Sequence, residues 1–171
     1  MLTLYLLRHA KSNWNSFDGN DFNRDINEIG LKKTEAIGNY INERKLDIDE
    51  ILSSPSLRTK RTLEIISKFL EPSPSLNYID ELYHSSNLGI YEIVKMFAKK
   101  KKVMIISHEP KLSQSIHDFS SDYKNKNFQK SQERFPTSGL FYLEFNTNNW
   151  SDISRFNSKI VGFISPNELY F

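Results

Sequence analysis

The chain has 171 residues, 26% of them charged and 38% hydrophobic, with a formal net charge of +2 and no cysteine. That length suits one domain with a substantial core. The near-neutral charge argues against nucleic-acid or membrane-surface partners, and the lack of cysteine removes disulfide frameworks and thiolate chemistry.

Residues 2–7, Leu-Thr-Leu-Tyr-Leu-Leu, read as a short buried strand. No apolar run reaches the roughly 18 residues of a membrane span. The apolar start lacks a basic leader and runs straight into Arg8-His9, so no signal peptide is expected and the cytoplasm is the expected location. An acidic, Asn-rich stretch follows at 15–25. From Gly30, the residues Leu31, Ala36, Ile37, Tyr40 and Ile41 share one face of a helical period. A strand at 50–53 leads into Ser54-Pro55-Ser56-Leu57-Arg58-Thr59, and a second helix spans 55–70. A third spans 87–99, carrying Leu88, Ile90, Ile93, Val94 and Phe97. The lysines at 99–102 read as a solvated helix end whose cations favour the helix dipole.

A strand at 103–107 then runs into His108-Glu109-Pro110. A fourth helix covers 110–119, with proline at a tolerated N-terminal position. Residues 120–136 are rich in Ser, Asn, Lys and Gln and read as a long connection flanking a site. Strands at 140–145 and, as a further candidate, 160–164 complete the chain. Alternating strands and helices predict an α/β fold, a central mostly parallel sheet flanked by helices, in a single domain over 1–171.

In open α/β sheets, ligands bind beyond the carboxyl ends of the strands. Three such ends carry Arg8 and His9, then Arg58, then His108. If the strands are parallel neighbours, two guanidinium forks and two imidazoles converge. That set suits a dianionic tetrahedral group. A helix N-terminus near Pro55 adds N–H donors. To attack phosphorus His9 must be neutral. Neighbouring Arg8 and Arg58 charges are expected to disfavour the imidazolium, and a backbone carbonyl accepting from one ring nitrogen would aim the other. The two histidines are far apart in sequence and no carboxylate cluster accompanies them, so no metal and no cofactor are expected.

The run Leu7-Arg8-His9-Ala10-Lys11-Ser12-Asn13-Trp14 resembles the signature of the histidine phosphatase superfamily, whose usual motif is Arg-His-Gly. More narrowly it is similar to the short SixA-type phosphohistidine phosphatases. Arg24 to Gly30, the Ser-Pro-x-x-Arg segment ending at Arg58, Glu81-Leu82-Tyr83 and Ile106-Ser107-His108 resemble further motifs of that family in order. The resemblance implies a phosphoglycerate mutase-like three-layer sandwich. It implies that His9 is the nucleophile that becomes phosphorylated, and that Arg8, Arg58 and His108 hold the phosphate. Glu81 corresponds to the acid that protonates the leaving group, with Glu109 as the alternative. Asn15 sits where the mutase branch has an asparagine near the phosphate. Ala10 replaces the commoner glycine and calls for a negative φ.

Relatives with enclosed sites carry large insertions, which this length does not accommodate, so no large cap and an open mouth are expected. Phe17, Phe22, Tyr123, Phe128 and Phe135 lie in the candidate walls and read as anchors of long loops. His84 is a candidate for the mouth, His117 for the surface. The expected function is a phosphatase acting through phosphohistidine on His9, with a phosphohistidine protein as substrate. The alternatives are a small-molecule phosphomonoesterase or mutase acting on a small phosphate ester, and a catalytically inactive phosphate- or phosphoprotein-binding module.

Overall fold

A computed structural model describes residues 1–83 and 87–169. One six-stranded sheet runs through it in the order β3-β2-β4-β1-β5-β6. The strands are β1 (Leu2–Arg8), β2 (Glu50–Ser53), β3 (Ser75–Tyr78), β4 (Lys102–Ser107), β5 (Leu140–Phe145) and β6 (Ser158–Ile164). β1 to β4 pair in parallel, while β5 and β6 add an antiparallel flank. The helices are α1 (Glu28–Glu43), α2 (Leu57–Ser67), α3 (Ile90–Phe97), α4 (Lys111–Phe119) and α5 (Lys126–Glu133).

The period of two in the central strands sorts side chains between two cores. Leu2, Leu4 and Leu6 of β1, with Val103 and Ile105 of β4, pack with α3, α4 and α5 through Ile93, Ile116 and Phe128. Tyr5 and Leu7, with Met104 and Ile106, face the other way onto Ile37 and Ile41 of α1 and Leu63 and Ile66 of α2. The result is the expected three-layer α/β sandwich. Strands buried on both faces read as continuous apolar runs, which is why 2–7 and 103–107 stand out in the sequence.

Three features depart from the sequence reading. The edge strand β3 gave no signal, because all four of its residues are exposed. It forms by backbone pairing with β2 and has no core face to impose a pattern. The connection at 120–136 contains α5, capped by the Asn125 side chain accepting from the Asn127 and Phe128 amides. Only Phe128 and Ser131 of that helix are buried, too few to show a period. The third helix is shorter than 87–99, and the lysines beyond it lie outside its last turn. There the Lys99 and Lys100 amides donate to Glu50.

The start of α1 bears directly on the chemistry. Asn27 caps it by accepting from the Gly30 amide at 2.8 Å. A Cβ on Gly30 would lie 2.3 Å from the Lys11 carbonyl oxygen. Glycine is what lets the helix abut the chain immediately after Ala10.

Candidate active site

β2, β4 and β1 are neighbours, so the three strand ends singled out in the sequence do meet. His9 leaves β1 with its backbone fixed from several sides. Its amide donates to Ser107 O, the Arg8 amide donates to Gly139 O, and the Ser138 amide donates to both Arg8 O and His9 O. Ser138 takes a φ of 59° to do so, a conformation a non-glycine residue holds only where its surroundings enforce it. Its hydroxyl pairs with that of Thr34 at 2.7 Å. The Ala10 amide donates to Thr62 Oγ1 at 2.8 Å. Lys45 and Ser138 are the non-glycine residues at positive φ among those described, so Ala10 has the negative φ its methyl calls for.

His9 is 7% exposed. Its Nδ1 lies 2.7 Å from Ala10 O. A carbonyl only accepts, so Nδ1 carries the hydrogen and Nε2 keeps the lone pair. Burial pushes the His9 pKa down to about 3; the His108, Arg58 and Arg8 charges act in the same direction and the Ala10 carbonyl opposes them. The arginines disfavour the imidazolium as expected, and removal from water adds the larger cause. His108 is also pushed down to about 3, first by burial and then by Arg58, with Asp21 opposing. The two rings lie 5.1 Å apart between centroids.

Arg8 Nη1 donates to Phe135 O at 2.8 Å. Arg58, in the first turn of α2, donates from Nη1 to Asp21 O at 2.9 Å and from Nη2 to Asp21 Oδ2 at 3.1 Å. His108 Nε2 lies 2.8 Å from Ser54 Oγ. Among the described residues, the buried side-chain nitrogens and oxygens without a hydrogen-bond partner are Arg8 Nε, Arg58 Nε and His108 Nδ1. Buried polar groups are nearly always partnered. Three exceptions confined to the predicted constellation mark a place built to receive an acceptor-rich group.

The two candidate carboxylates differ in their surroundings. Glu81 is half-buried in a 3-10 turn, Asp80–Leu82, that is docked on the end of β4 by Ser107 Oγ donating to Leu82 O at 3.0 Å. Lys111 Nζ donates to the Glu81 carbonyl. Burial lowers the Lys111 pKa while the Glu81 charge raises it. Glu109 precedes α4, and its two oxygens accept from the Ser113 amide and hydroxyl, both at 2.7 Å. It works as the cap of that first turn.

Asn15 is exposed and lines a depression of about 280 Å³ with Trp14, Ser16, Gly19, Asp21 and Arg24. Phe128 and Phe135 are buried anchors, as expected. Phe17 is not: it stands 89% exposed, and the nearby Trp14 91%. Phe22 packs edge-on against Tyr83, and Tyr123 is half-exposed. His117 is a surface residue paired with Gln132. His84 lies outside the described residues. Sequence reasoning missed Asp21, whose carboxylate accepts from Arg58, from Tyr83 Oη at 2.9 Å and from Arg24 Nε at 2.9 Å. Partial burial alone would raise this carboxyl. The bonds from Tyr83, Arg58 and Arg24 and the Arg58 charge outweigh it and hold the group below the usual carboxylate range. The i,i+3 pair Asp21 and Arg24 was the only local signal.

A sequence profile described as the histidine phosphatase superfamily (branch 1) matches residues 4–92, more than half of the chain. The chain belongs to the histidine phosphatase superfamily. It is 24% identical to the uncharacterized phosphatase PhoE of Bacillus subtilis (strain 168), over 96% of this chain and all of that one. It is 23% identical to the phosphohistidine phosphatase SixA of Escherichia coli (strain K12), over 64% of this chain and 68% of that one. A solved structure of the protein histidine phosphatase SixA complexed with tungstate superposes with a TM-score of 0.78 at 20% identity, covering 98% of this chain and 99% of that one. The fold is phosphoglycerate mutase-like, the similarity points to the SixA-type branch, and the protein is a phosphatase. Among the described residues, no group of three or more His, Asp or Glu side chains could hold a metal ion, and no helix is long and apolar enough to cross a membrane.

Proposed function

We propose that the protein removes phosphoryl groups through a phosphohistidine formed on His9, and that its preferred substrate is a phosphohistidine on another protein. The observation that carries this reading is the trio of buried, unpartnered nitrogens on Arg8, Arg58 and His108 around a neutral imidazole. They supply N–H donors to the non-reacting oxygens of a phosphoryl group. We assign Ser54 Oγ as the donor to His108 Nε2, which puts the hydrogen of that ring on Nδ1 and adds a donor. The tetrahedral oxyanion tungstate in the SixA neighbour is consistent with such a pocket.

The His9 Nε2 lone pair forms the new N–P bond as the bond to the leaving atom breaks. The leaving atom takes the electron pair of the bond that breaks and a proton from Glu81. Water then attacks phosphorus and gives its proton to the Glu81 carboxylate. The N–P bond breaks, its electron pair returns to Nε2, and inorganic phosphate leaves. Because the protein mainly positions groups and stabilises charge in such transfers, fixed arginines and a fixed His9 backbone are the appropriate devices. Glu109 is assigned no chemical role, since Ser113 occupies both of its oxygens.

The test is acid-quench labelling with a radioactive phosphoryl donor, run beside rate measurements on a phosphohistidine protein and on sugar and nucleotide monoesters. An acid-labile, base-stable label on His9 is expected, with a turnover loss of roughly 10⁴-fold or more in His9→Ala and the fastest rate on phosphohistidine. A label on serine, or none during rapid turnover, overturns the mechanism. Faster turnover of monoesters overturns the substrate. Tight phosphate binding without any turnover returns the binding-module reading.

A further inference from the structure

We propose that Asp21 is a positioning residue: it grips the end of the Arg58 guanidinium, turns the Nε edge of that side chain toward the phosphoryl pocket, and through Tyr83 braces one side of the mouth. The inference rests on reading Arg8, Arg58 and His108 as a phosphate pocket. A guanidinium has two forks, one made by its two Nη groups and one made by Nε with an adjacent Nη. At Arg58 both Nη atoms already donate to Asp21, one to its carbonyl and one to its carboxylate. The edge that remains carries Nε, which is buried and without a partner. A bidentate grip on phosphate must therefore use that edge, and Asp21 is what aims it.

The carboxylate is itself held in place. Asp21 Oδ1 accepts from Arg24 Nε, and Arg24 Nη1 donates to Asn13 O at 3.0 Å. The loop in front of it is knotted by Asp18, which accepts from Ser16 Oγ, the Asn20 amide and Asn23 Nδ2. Asp21 Oδ2 accepts from Tyr83 as well as Arg58. The Tyr83 ring stands edge-on to His108 at 5.6 Å and to Phe22 at 5.1 Å. One side chain thus ties the loop after β1 to the turn after β3 across Arg58 and beside His108.

The experiment is calorimetric titration of the full chain with tungstate, for wild type, Asp21→Ala, Asp21→Asn and Tyr83→Phe, with kinetics on p-nitrophenyl phosphate. The Asp21 side chain is about half exposed, so Asp21→Ala should melt close to wild type, and Asp21→Asn preserves the shape. Loss of aim predicts tungstate binding roughly 10-fold weaker in Asp21→Ala, a KM raised by about the same factor, and kcat changed less than about threefold. Asp21→Asn should fall in between, because its amide oxygen still accepts from Nη2. Tyr83→Phe should show a smaller loss. The Arg58 Nε–H resonance should shift with tungstate in wild type and broaden in Asp21→Ala. Unchanged tungstate affinity and KM in Asp21→Ala overturn the proposal, as does tighter binding, which would make Asp21 a competitor for Arg58. Failure of wild type to bind any tungstate sinks the phosphate-pocket reading itself, a result distinct from equal binding by all the variants.

Discussion

At the amino end of the parallel strands, Glu50 is 5% exposed and its Oε1 accepts from the Lys99 and Lys100 amides at 2.8 and 3.0 Å. At the carboxyl end, Arg8, Arg58 and His108 each keep a buried nitrogen with no partner. Both ends bury polar groups in the same sheet, and among the described residues only the carboxyl end leaves them unsatisfied. The amino end also has the roomier hollow, a cavity of about 540 Å³ lined by residues such as Ile41, Asp47, Phe69 and Lys102. An ion pair lies on its wall, the 3.0 Å contact of Lys102 with Asp47. Concavity is a poor guide here. Unmet hydrogen-bonding capacity, which folding normally eliminates, is what separates the working end of this sheet from the structural one.

The comparison is tested most severely by the carboxylates at the working end. Glu81→Gln should slow hydrolysis of alkyl phosphates by about 10²–10⁴-fold. p-Nitrophenyl phosphate and phosphohistidine, with better leaving groups, should suffer much less. Glu109→Gln should change rates little and cost only the fraction of a helix cap, about 1 kcal/mol or less of stability. Rates must be taken where the transfer step is limiting. A leaving-group-dependent loss in Glu109→Gln instead would move the acid to that residue and place functional capacity in a carboxylate that already has its partners.

A paired substitution sharpens the contrast between the two ends. Arg58→Met removes a buried cation with unmet capacity and should lower kcat/KM by roughly 10²–10³-fold while leaving stability within about 1 kcal/mol of wild type. Glu50→Ala should do the reverse. It strips two amides of their acceptor and should destabilise by about 1–3 kcal/mol with kcat/KM unchanged. Urea unfolding and steady-state rates on the same preparations decide it, and a stability loss in Arg58→Met as large as that in Glu50→Ala would erase the distinction.

A further effect is in the pH dependence of stability. His9 and His108 have folded pKa values pushed down to about 3, against roughly 6.5 in an unfolded chain. Above about pH 6.5 both states are neutral and the histidines' contribution is whole. As pH falls from there toward 3 the unfolded chain takes up protons the folded one refuses, so stability declines. The slope is at most about 1.4 kcal/mol per pH unit for each ring. His108→Gln should flatten that decline between pH 6.5 and 4 in urea titrations. An unchanged slope would show that burial does not depress this histidine.

The sequence alone determined the parts of this protein that rest on strong local pattern. Strands buried on both faces must be apolar throughout, so β1 and β4 were legible, and the polar residues where they stop, Arg8, His9 and His108, were legible with them. Arg58 followed from the turn after β2, and the ordered motifs were sufficient for the family. What pattern does not encode stayed hidden. β3 buries no face and α5 buries too little of one, so neither imposes a period. Only the tertiary structure decided that burial, more than arginine charge, holds His9 neutral, because desolvation is a property of everything packed around a ring. Only it could join Asp21 to Arg58 and Tyr83, residues far apart in sequence. Their bonds exist because the loop after β1 folds back over the carboxyl end of the sheet, and no spacing along the chain records that approach.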